Sequence, residues 1–324
     1  KGDSETHPTL SPDDQFADFE TYSHILGREE TAAPSAADYI RSALITGLEA
    51  ERHLGVNPYQ FGVIGSTDAH TSLSSAEENN FWGKFALDST PETKDRELLT
   101  GVMGNSMSAS GLVAVWAEEN SRESIFSAFR RREVYATSGP RIGISFFAGW
   151  HFSEDDLAAP NPALPGYTKG VTMGSQLQPP KGKRAPTFLV HAAMDPEGAR
   201  LDRLQIIKGW VGLDGKGREK VYDIAWSDDR VMDDDGTLPP VGNTVDLQTG
   251  RYRNSIGATQ LATVWRDPDF HASQRAFYYA RVLQIPTARH TLLDAIATGR
   301  ESSAAAYPDT IQERAYTSPI WYTP

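Results

Sequence analysis

The chain has 324 residues, of which 39% are hydrophobic, 23% charged and 10% aromatic, which is the composition of a soluble globular protein with one large domain or two ordinary ones. Its 43 acidic residues outnumber its 31 basic ones and give a net charge of −12, which argues against nucleic acid as a partner because phosphate binding needs a basic surface. No apolar run is long enough to span a bilayer, and the absence of cysteine excludes disulfides and thiolate zinc sites.

These properties leave the compartment open between cytoplasm and periplasm and predict no membrane partner. Any metal ion must be held by His, Asp, Glu or water. A small anionic substrate remains allowed despite the negative charge, since bound metal ions can reverse the local field.

A helix and a buried strand are predicted early in the chain. The segment SAADYIRSALITGLEAERHLG (35–55) carries apolar residues at helical spacing, and Gly55 predicts where the helix ends. The apolar run FGVIG (61–65) predicts a strand covered on both faces. A helix that leads into such a strand is typical of β/α barrels and layered α/β sheets.

Two metal-ligand residue types follow this predicted strand. Asp68 and His70 are two residues apart, so their side chains project to the same side if the extended geometry continues. A carboxylate and an imidazole at the mouth of a parallel sheet are suited to hold a metal ion. The alternative is a simple turn into a helix, since Ser74 and Glu77 form a capping-box pattern.

Two further stretches are candidates for substrate contacts. AEENNFWGKF (76–85) breaks a helical pattern and presents an aromatic, so Trp82 is predicted as a pocket wall and Lys84 as an anion contact. TSGPR (137–141) predicts a turn in the first place, and the alternative is the rim of a substrate site that includes Arg141.

A strand and a second helix close the first half. LVAVW (112–116) predicts a strand, and the helix after it is predicted to start at Asn120, with Ile125, Phe126 and Phe129 as its inner stripe. The residues 130–132 are three arginines, whose main role is expected to be favourable interaction with the helix dipole.

From about residue 141 the pattern changes to β structure. PTFLVHAAM, DRLQIIKGW, KVYDIAW and RAFYYARVLQIPT are predicted strands, with DPEG and DGKG as turns between the first three and SPIWY as the last strand. We therefore expect a mostly antiparallel, β-sandwich-like unit over residues 141–324. The histidines of this half, including His290, are expected in surface or packing roles.

The run GSTDAHT (65–71) resembles the Gly-Ser-Asp-x-His signature of PHP (polymerase and histidinol phosphatase) superfamily hydrolases, with Thr67 as an extra residue. Together with KGDSETHPTLSP, GLVAVWAEENSRESIFSAFRRREVYATSGPRI and YTSPIW, it resembles a PHP-like bacterial branch known as domain-of-unknown-function family 3604. The resemblance covers most of the chain and is weaker around 151–185 and 227–260.

This resemblance implies a distorted β/α barrel that binds two or three zinc, manganese or iron ions. On that basis residues 1–140 are expected to be the later part of the barrel, with Asp68 and His70 as metal ligands and catalytic residues. The KGDSETHP stretch resembles the end of an earlier barrel strand, which adds His7 and Glu5 as candidate ligands, although both could instead lie in a solvated terminus. His7 is expected to share an ion with His70.

Two features depart from the family pattern. PHP sites are founded on a His-x-His pair, and no such pair occurs in this sequence, whose first residue is Lys1. We therefore expect the N-terminal fragment of the same precursor to complete the site, by strand pairing and an apolar interface. In addition, Ala288, Arg289 and His290 stand where Pro-Arg-Trp is expected, which puts the family role of that corner in doubt.

The sequence thus predicts a metal-dependent hydrolase that uses a metal-activated hydroxide on phosphate esters or on another small ester or amide substrate. The alternative is a non-catalytic binding or scaffold protein on a decayed PHP frame. Partners are a small-molecule substrate and the N-terminal fragment, and a homo-oligomer is also compatible with the sequence.

Overall fold

The computed structural model describes residues 4–21, 33–73, 75, 77–99, 102–109, 111–180, 182, 184–302 and 307–324. Lys1 and Ser74 lie outside these residues, so the capping alternative at Ser74 stays a prediction.

Short helices and many strands form the described part of the chain. The helices are α1 (Ile40–Leu54), α2 (Pro91–Lys94), α3 (Arg122–Arg131), α4 (Ala163–Lys169) and α5 (His290–Thr298). The strands are β1 (Glu97–Leu99), β2 (Val102–Met103), β3 (Leu112–Val115), β4 (Val134–Thr137), β5 (Gly143–Gly149), β6 (Gly170–Thr172), β7 (Gln176–Leu177), β8 (Thr187–Ala193), β9 (Leu201–Val211), β10 (Gly217–Trp226), β11 (Gln260–Arg266), β12 (Ala276–Gln284), β13 (Thr287–Ala288), β14 (Thr310–Ile311), β15 (Arg314–Thr317) and β16 (Ile320–Tyr322).

Two sheets dominate a mixed α/β architecture in which strand outweighs helix. The larger sheet runs β10-β9-β12-β15-β4-β3, with β16 beside β12 and β7 beside β16, and the smaller one runs β11-β8-β5-β6. Their pairings are antiparallel apart from β16 with β7. Within the residues described, neither sheet closes on itself, so the predicted barrel is not seen.

Strand β12 lies at the centre of both hydrophobic layers. All nine of its residues are buried, and alternate side chains enter different clusters because strand side chains point to opposite faces. Tyr278 and Val282 pack in the cluster shared with Phe146 and Phe188 of the smaller sheet. Phe277 and Tyr279 pack in the cluster on the opposite face.

Helix α1 covers that opposite face. Leu44 and Leu48, one helical turn apart, are both 1% exposed and pack with Phe277 and Tyr279. The helix ends at Gly55, whose φ of 75° is the left-handed conformation favoured at a helix C-terminus, so the predicted stop is confirmed. None of the helices described is both long and apolar enough to cross a membrane.

The predicted strand at 61–65 is wrong, since the segment is assigned to no strand. Individual hydrogen bonds hold its backbone in place of a strand ladder. The Val63 N–H donates to Ser318 Oγ at 3.0 Å, and the Gly65 N–H donates to the Leu112 carbonyl at 3.2 Å. Gly65 passes so close to β3 and β4 that a Cβ would lie 2.5 Å from the Leu112 oxygen and 2.7 Å from the Thr137 oxygen. The close approach explains the glycine, which sequence reasoning read only as part of a strand.

Helix α3 also differs from its prediction. Its N-cap is Ser121 rather than Asn120, with the Ser121 hydroxyl accepting from the Ser124 N–H at 3.3 Å. The predicted inner stripe is wrong for Phe126, 61% exposed, and for Phe129, 39% exposed, whereas Ile125 is half-buried and Ala128 fully buried. The helix packs on β3, the edge strand of the larger sheet, through a narrow face that admits a small side chain.

The predicted strands of the second half are present as β8, β9, β10, β12 and β16. Their pairings are mostly antiparallel, and buried side chains of the two sheets pack in one shared core. Strands β3 and β4 precede residue 141 and still belong to the larger sheet, where β4 pairs with β15. The sheet therefore extends across the predicted boundary at residue 140.

A buried ionic cluster, which we call the arginine clamp, attaches the N-terminal segment to this framework. Its members are Glu5, Asp14, Arg41 of α1 and Arg281 of β12. Arg281 donates to Asp14 at 2.7 Å and to Glu5 at 2.9 Å, and Arg41 donates to Asp14 at 2.8 Å and to Glu5. Both guanidinium side chains are fully buried. Burial alone raises the pKa of Asp14, but Arg281 and Arg41 hold it well below its usual range.

Asp14→Asn is expected to lower the free energy of unfolding by about 3–5 kcal/mol, because it leaves buried guanidinium charge uncompensated. A carboxylate whose pKa is depressed in the folded state contributes stability above its unfolded pKa of about 4, and that stability is lost as pH falls below it. Denaturant unfolding at neutral and acidic pH measures both effects.

The matched control for this prediction is Asp13→Asn, since Asp13 is the exposed neighbour of Asp14. It should change stability by less than about 0.5 kcal/mol. Equal losses in the two variants, or a loss at Asp14 that does not shrink toward acidic pH, would contradict the role assigned to the clamp.

Candidate functional site

Asp68 and His70 lie in an exposed loop, residues 66–70, rather than at the end of a strand. Asp68 has a φ of 53°, so the extended geometry that would point the two side chains to one side is interrupted there. The His70 N–H donates to the Lys84 carbonyl at 2.7 Å, and its ring stacks on Phe85 at 4.8 Å. His70 Nδ1 lies 2.9 Å from the Asp68 carbonyl, which can only accept, so Nδ1 carries the proton and Nε2 keeps a lone pair.

The other two candidate ligands lie on the N-terminal segment. His7 is half-buried, its Nδ1 accepts from the Thr9 N–H at 3.1 Å, and its ring packs against Tyr39. Glu5 belongs to the arginine clamp, where one carboxylate oxygen accepts from Arg41 and the Tyr279 hydroxyl and the other from Arg281. Glu5 is therefore neutralised by arginine.

Within the residues described, no three His, Asp or Glu side chains lie together in a group that could hold a metal ion. Asp68 and His70 offer one carboxylate and one imidazole nitrogen, which is fewer donors than a two-ion or three-ion centre requires. The donor set described does not by itself fit such a centre.

The three predicted substrate contacts occupy different environments. Trp82 is 46% exposed, and its indole N–H donates to Asn80 at 2.8 Å. Lys84 is 2% exposed, and its ammonium donates to the Thr67 carbonyl and to the Ala109 carbonyl, the latter at 3.3 Å, which anchors the 66–70 loop. Arg141 projects into solvent, 3.9 Å from Glu77.

The segment leading into the 66–70 loop forms part of the wall of a cavity of about 240 Å³. Ile64, 52% exposed, lies where the cavity opens to solvent. The apolar part of the wall consists of Phe19, Ile40, Leu44, Val63, Ile64, Ala109, Ala136, Ile311 and Pro319. The carboxyl groups in the wall are those of Glu5, Glu20, Glu78 and Glu313.

Arg289 neutralises one of these carboxyls from behind the wall. Its guanidinium forms a bidentate pair with Glu20 at 2.7 and 2.9 Å and also donates to the Asn105 and Met107 carbonyls. Burial raises the pKa of Glu20, but the bond to Arg289 outweighs it and the net pKa is lowered. The backbone at Glu20 is in the left-handed region, with a φ of 48°, so this side chain is placed in the wall at some conformational cost.

Glu313 and Glu78 are not paired with an arginine in this way. The Ser138 hydroxyl donates to one carboxyl oxygen of Glu313, which is 4% exposed. One oxygen of Glu78 accepts from the His290 N–H at 2.6 Å. Burial, reinforced by the charges of Glu78 and Glu20, raises the pKa of Glu313 well above its usual range, and burial also raises the pKa of Glu78.

The corner at Ala288–His290 supports this side of the cavity. His290 is 1% exposed, and its Nε2 donates to the Met107 carbonyl at 2.9 Å. The packing role expected for His290 is seen, but Arg289 and the His290 backbone also fix Glu20 and Glu78. Sequence analysis identified this corner only as a departure from a family pattern. Of the four cavity glutamates it named Glu5 and gave no role to Glu20, Glu78 or Glu313, although Glu78 lies in the AEENNFWGKF stretch.

The cavity combines acids whose pKa values are shifted in opposite directions, raised for Glu313 by burial and lowered for Glu20 by Arg289. A carboxyl can donate a hydrogen bond or a proton in its protonated form and can only accept in its ionised form. Environments that separate the pKa values of neighbouring carboxyls are typical of sites that bind or transform small molecules.

Residues 1–324 match the protein family described as "Protein of unknown function (DUF3604)". No curated protein and no solved structure matches the chain.

Glu313→Gln tests the protonation state of this buried acid. A raised pKa means that the folded chain binds the proton more tightly than the unfolded chain, so the free energy of unfolding falls as pH rises above the ordinary value of about 4. Glutamine mimics the neutral acid, so the variant should gain stability relative to the original protein as pH rises, by at most about 1.4 kcal/mol per pH unit.

Denaturant unfolding across this pH range gives the comparison, and Glu77→Gln is the control because Glu77 is exposed. It should show no comparable gain in stability. Parallel curves for the original protein and Glu313→Gln would show that Glu313 ionises normally.

Proposed function

Because this chain belongs to the DUF3604 family, whose description names no activity, we propose a function from the chemistry of the cavity and of the loop beside it. We infer a metal-dependent hydrolase that acts on phosphate esters or on another small ester or amide. The observation that carries this proposal is the continuity of the chain from the cavity wall at residues 63–66 to Asp68 and His70. Asp68 and His70 do not line the cavity themselves, but they follow the wall residue Ser66 by two and four positions in the chain.

The cofactor in this proposal is zinc, manganese or iron, as the PHP resemblance of GSTDAHT implies. Asp68 would contribute a carboxylate and His70 its Nε2, whose basicity is favoured by the bond from Nδ1 to a carbonyl. His7 is a further donor only if its Nε2 turns toward the same ion. The remaining ligands would come from outside the described residues. In the same proposal, residues 1–140 correspond to the later part of a PHP-type barrel.

A non-catalytic binding protein on the same frame is the second candidate. Two residues predicted for the site have structural roles instead, which favours this candidate. Glu5 is paired with two arginines, and Lys84 donates to two backbone carbonyls. This candidate predicts ligand binding in the cavity without turnover and without stoichiometric metal.

Asp68→Ala and His70→Ala test the hydrolase proposal. Each variant is expected to lose bound metal and to lose at least about 100-fold in hydrolysis, since even residues that only support metal ligands contribute 10- to 100-fold. The measurements are elemental analysis of the purified chain and a screen of phosphate esters, carboxylic esters and amides with manganese, zinc and iron.

His53→Ala is the matched control, because His53 is an exposed histidine in the last turn of α1 and contacts neither loop nor cavity. It should keep metal and activity. Two results together would contradict the hydrolase proposal and favour the binding protein: no stoichiometric metal in the purified chain, and unchanged turnover in Asp68→Ala.

We also propose that the N-terminal part of the same precursor binds along β3. This strand ends the larger sheet, and exposed apolar side chains lie on it, directly after it and on helix α3: Val113 is 44% exposed, Trp116 41%, and Phe126 61%. The Leu112 carbonyl already accepts from the Gly65 N–H, so the rest of the strand edge is what another chain would pair with, and exposed aromatics are frequent anchors of interfaces.

Trp116→Asp and Phe126→Asp are expected to weaken co-purification of that N-terminal part by tenfold or more, on the order of the loss when an interface anchor is removed. Titration of the co-expressed parts by light scattering measures the affinity. Leu213→Asp is the control, since Leu213 is 71% exposed on the β9–β10 hairpin. Equal affinity in all variants would exclude this surface.

A further inference from the structure

The cavity described above has an unbalanced charge. The wall contains four carboxyl groups and, among the described residues, no lysine, arginine or histidine. Glu5 and Glu20 are neutralised by arginines from behind the wall. Glu313 and Glu78 are the two acids that remain for a ligand.

Glu313 has an oxygen that the protein leaves to the cavity. One carboxyl oxygen accepts from Ser138, while the second makes no hydrogen bond within the part of the chain that the structure describes. The residue is 4% exposed and lines the cavity, so this second oxygen is available to a group that enters the cavity. A carboxyl oxygen that accepts no hydrogen bond from the described residues is a place for a ligand group that donates one.

The rest of the wall limits the size and polarity of that ligand. A volume of about 240 Å³ lies below the range of roughly 300–1,000 Å³ for pockets that take drug-sized molecules. Phe19, Ile40 and Leu44 give an apolar surface. The occupant is therefore a small molecule with one polar end and one apolar end.

We propose that this cavity binds a small organic ammonium ion, with the ammonium group hydrogen-bonded to Glu313 and Glu78 and the hydrocarbon against the apolar wall. An ammonium offers up to three donors to two carboxylates, whereas a phosphate would meet four carboxyl groups and, among the described wall residues, no cationic side chain. The inference rests on the proposed function in taking this cavity as the substrate site, and it selects esters or amides of amine-bearing molecules over phosphate esters.

Binding of the cation must be linked to proton release. Glu313 is faced by Glu78, Glu20 and Arg314, and Glu78 is faced by His290, Arg289 and Glu20. Without ligand, burial and the neighbouring acids favour the protonated forms; a bound ammonium favours the ionised forms. The affinity for the cation should therefore rise with pH, by up to about tenfold per pH unit for each proton released.

Isothermal titration calorimetry of the full chain with benzylammonium tests this inference, using two buffers that differ in ionisation enthalpy between about pH 5 and 8. The expected result is saturable binding that releases up to one proton per acid and tightens as pH rises. Benzyl alcohol and phenyl phosphate are the neutral and anionic probes, and both should bind at least tenfold more weakly.

Glu313→Gln and Glu78→Gln should each weaken benzylammonium binding by tenfold or more and reduce the proton release, while Glu77→Gln should change neither. Glutamine keeps the shape of the neutral acid, so both variants are expected to fold, and circular dichroism with thermal unfolding checks this. If Glu313→Gln does not fold, Glu78→Gln decides the outcome alone.

Absence of saturable binding to the folded chain, equal binding by Glu77→Gln and Glu78→Gln, or tighter binding of phenyl phosphate would overturn the inference. The proposed function fails differently. If the chain binds the ammonium ion with proton release but does not hydrolyse amine esters, this inference is supported and the hydrolase proposal is contradicted. If the chain hydrolyses phosphate esters with a metal ion but does not bind the ammonium ion, the hydrolase proposal is supported and this inference is contradicted.

Discussion

Two fully buried guanidinium groups determine where the N-terminal segment can lie. Arg41 and Arg281 come from the helix and the sheet, and neither charge can be buried without the carboxylates of Glu5 and Asp14. Those carboxylates belong to a segment with no regular secondary structure. The ion pairs hold it together with two backbone hydrogen bonds, from the Ile40 N–H to the Ser4 carbonyl and from the Arg41 N–H to the Glu5 carbonyl. The segment in turn brings Phe19 and Glu20 into the cavity wall.

The same distribution of arginines gives the cavity its chemistry. Arg41, Arg281 and Arg289 lie behind the wall and neutralise Glu5 and Glu20, whereas Arg314 stacks over Phe19 and donates to backbone carbonyls. The charge left in the cavity is thus set by which acids have an arginine partner rather than by how many acids line it. Net charge of the whole chain gives no information about this local balance.

The strands of the second half could be predicted because their alternation and turn residues are local signals, and β8, β9, β10 and β12 appear where the pattern indicates. The segment 61–65 could not, because its apolar residues match a buried strand while its backbone partners are a serine hydroxyl and a single carbonyl far along the chain. Glu313 and Glu78 escaped prediction for a similar reason. Their pKa shifts arise from burial and tertiary neighbours. Glu78 lies in the AEENNFWGKF stretch, where the sequence indicated only Trp82 and Lys84, and Glu313 resembles any surface acid in the sequence.

The order of strands in the larger sheet also bears on how the protein is made. Strand β4 pairs with β15, and Ser138 at its end pairs with Arg314, 176 residues later in the chain. During synthesis β4 therefore emerges long before its partner, and the open side of β12 is covered only when β15 and β16 leave the ribosome. Until then the chain carries unpaired apolar strand edges, which are the surfaces that molecular chaperones recognise.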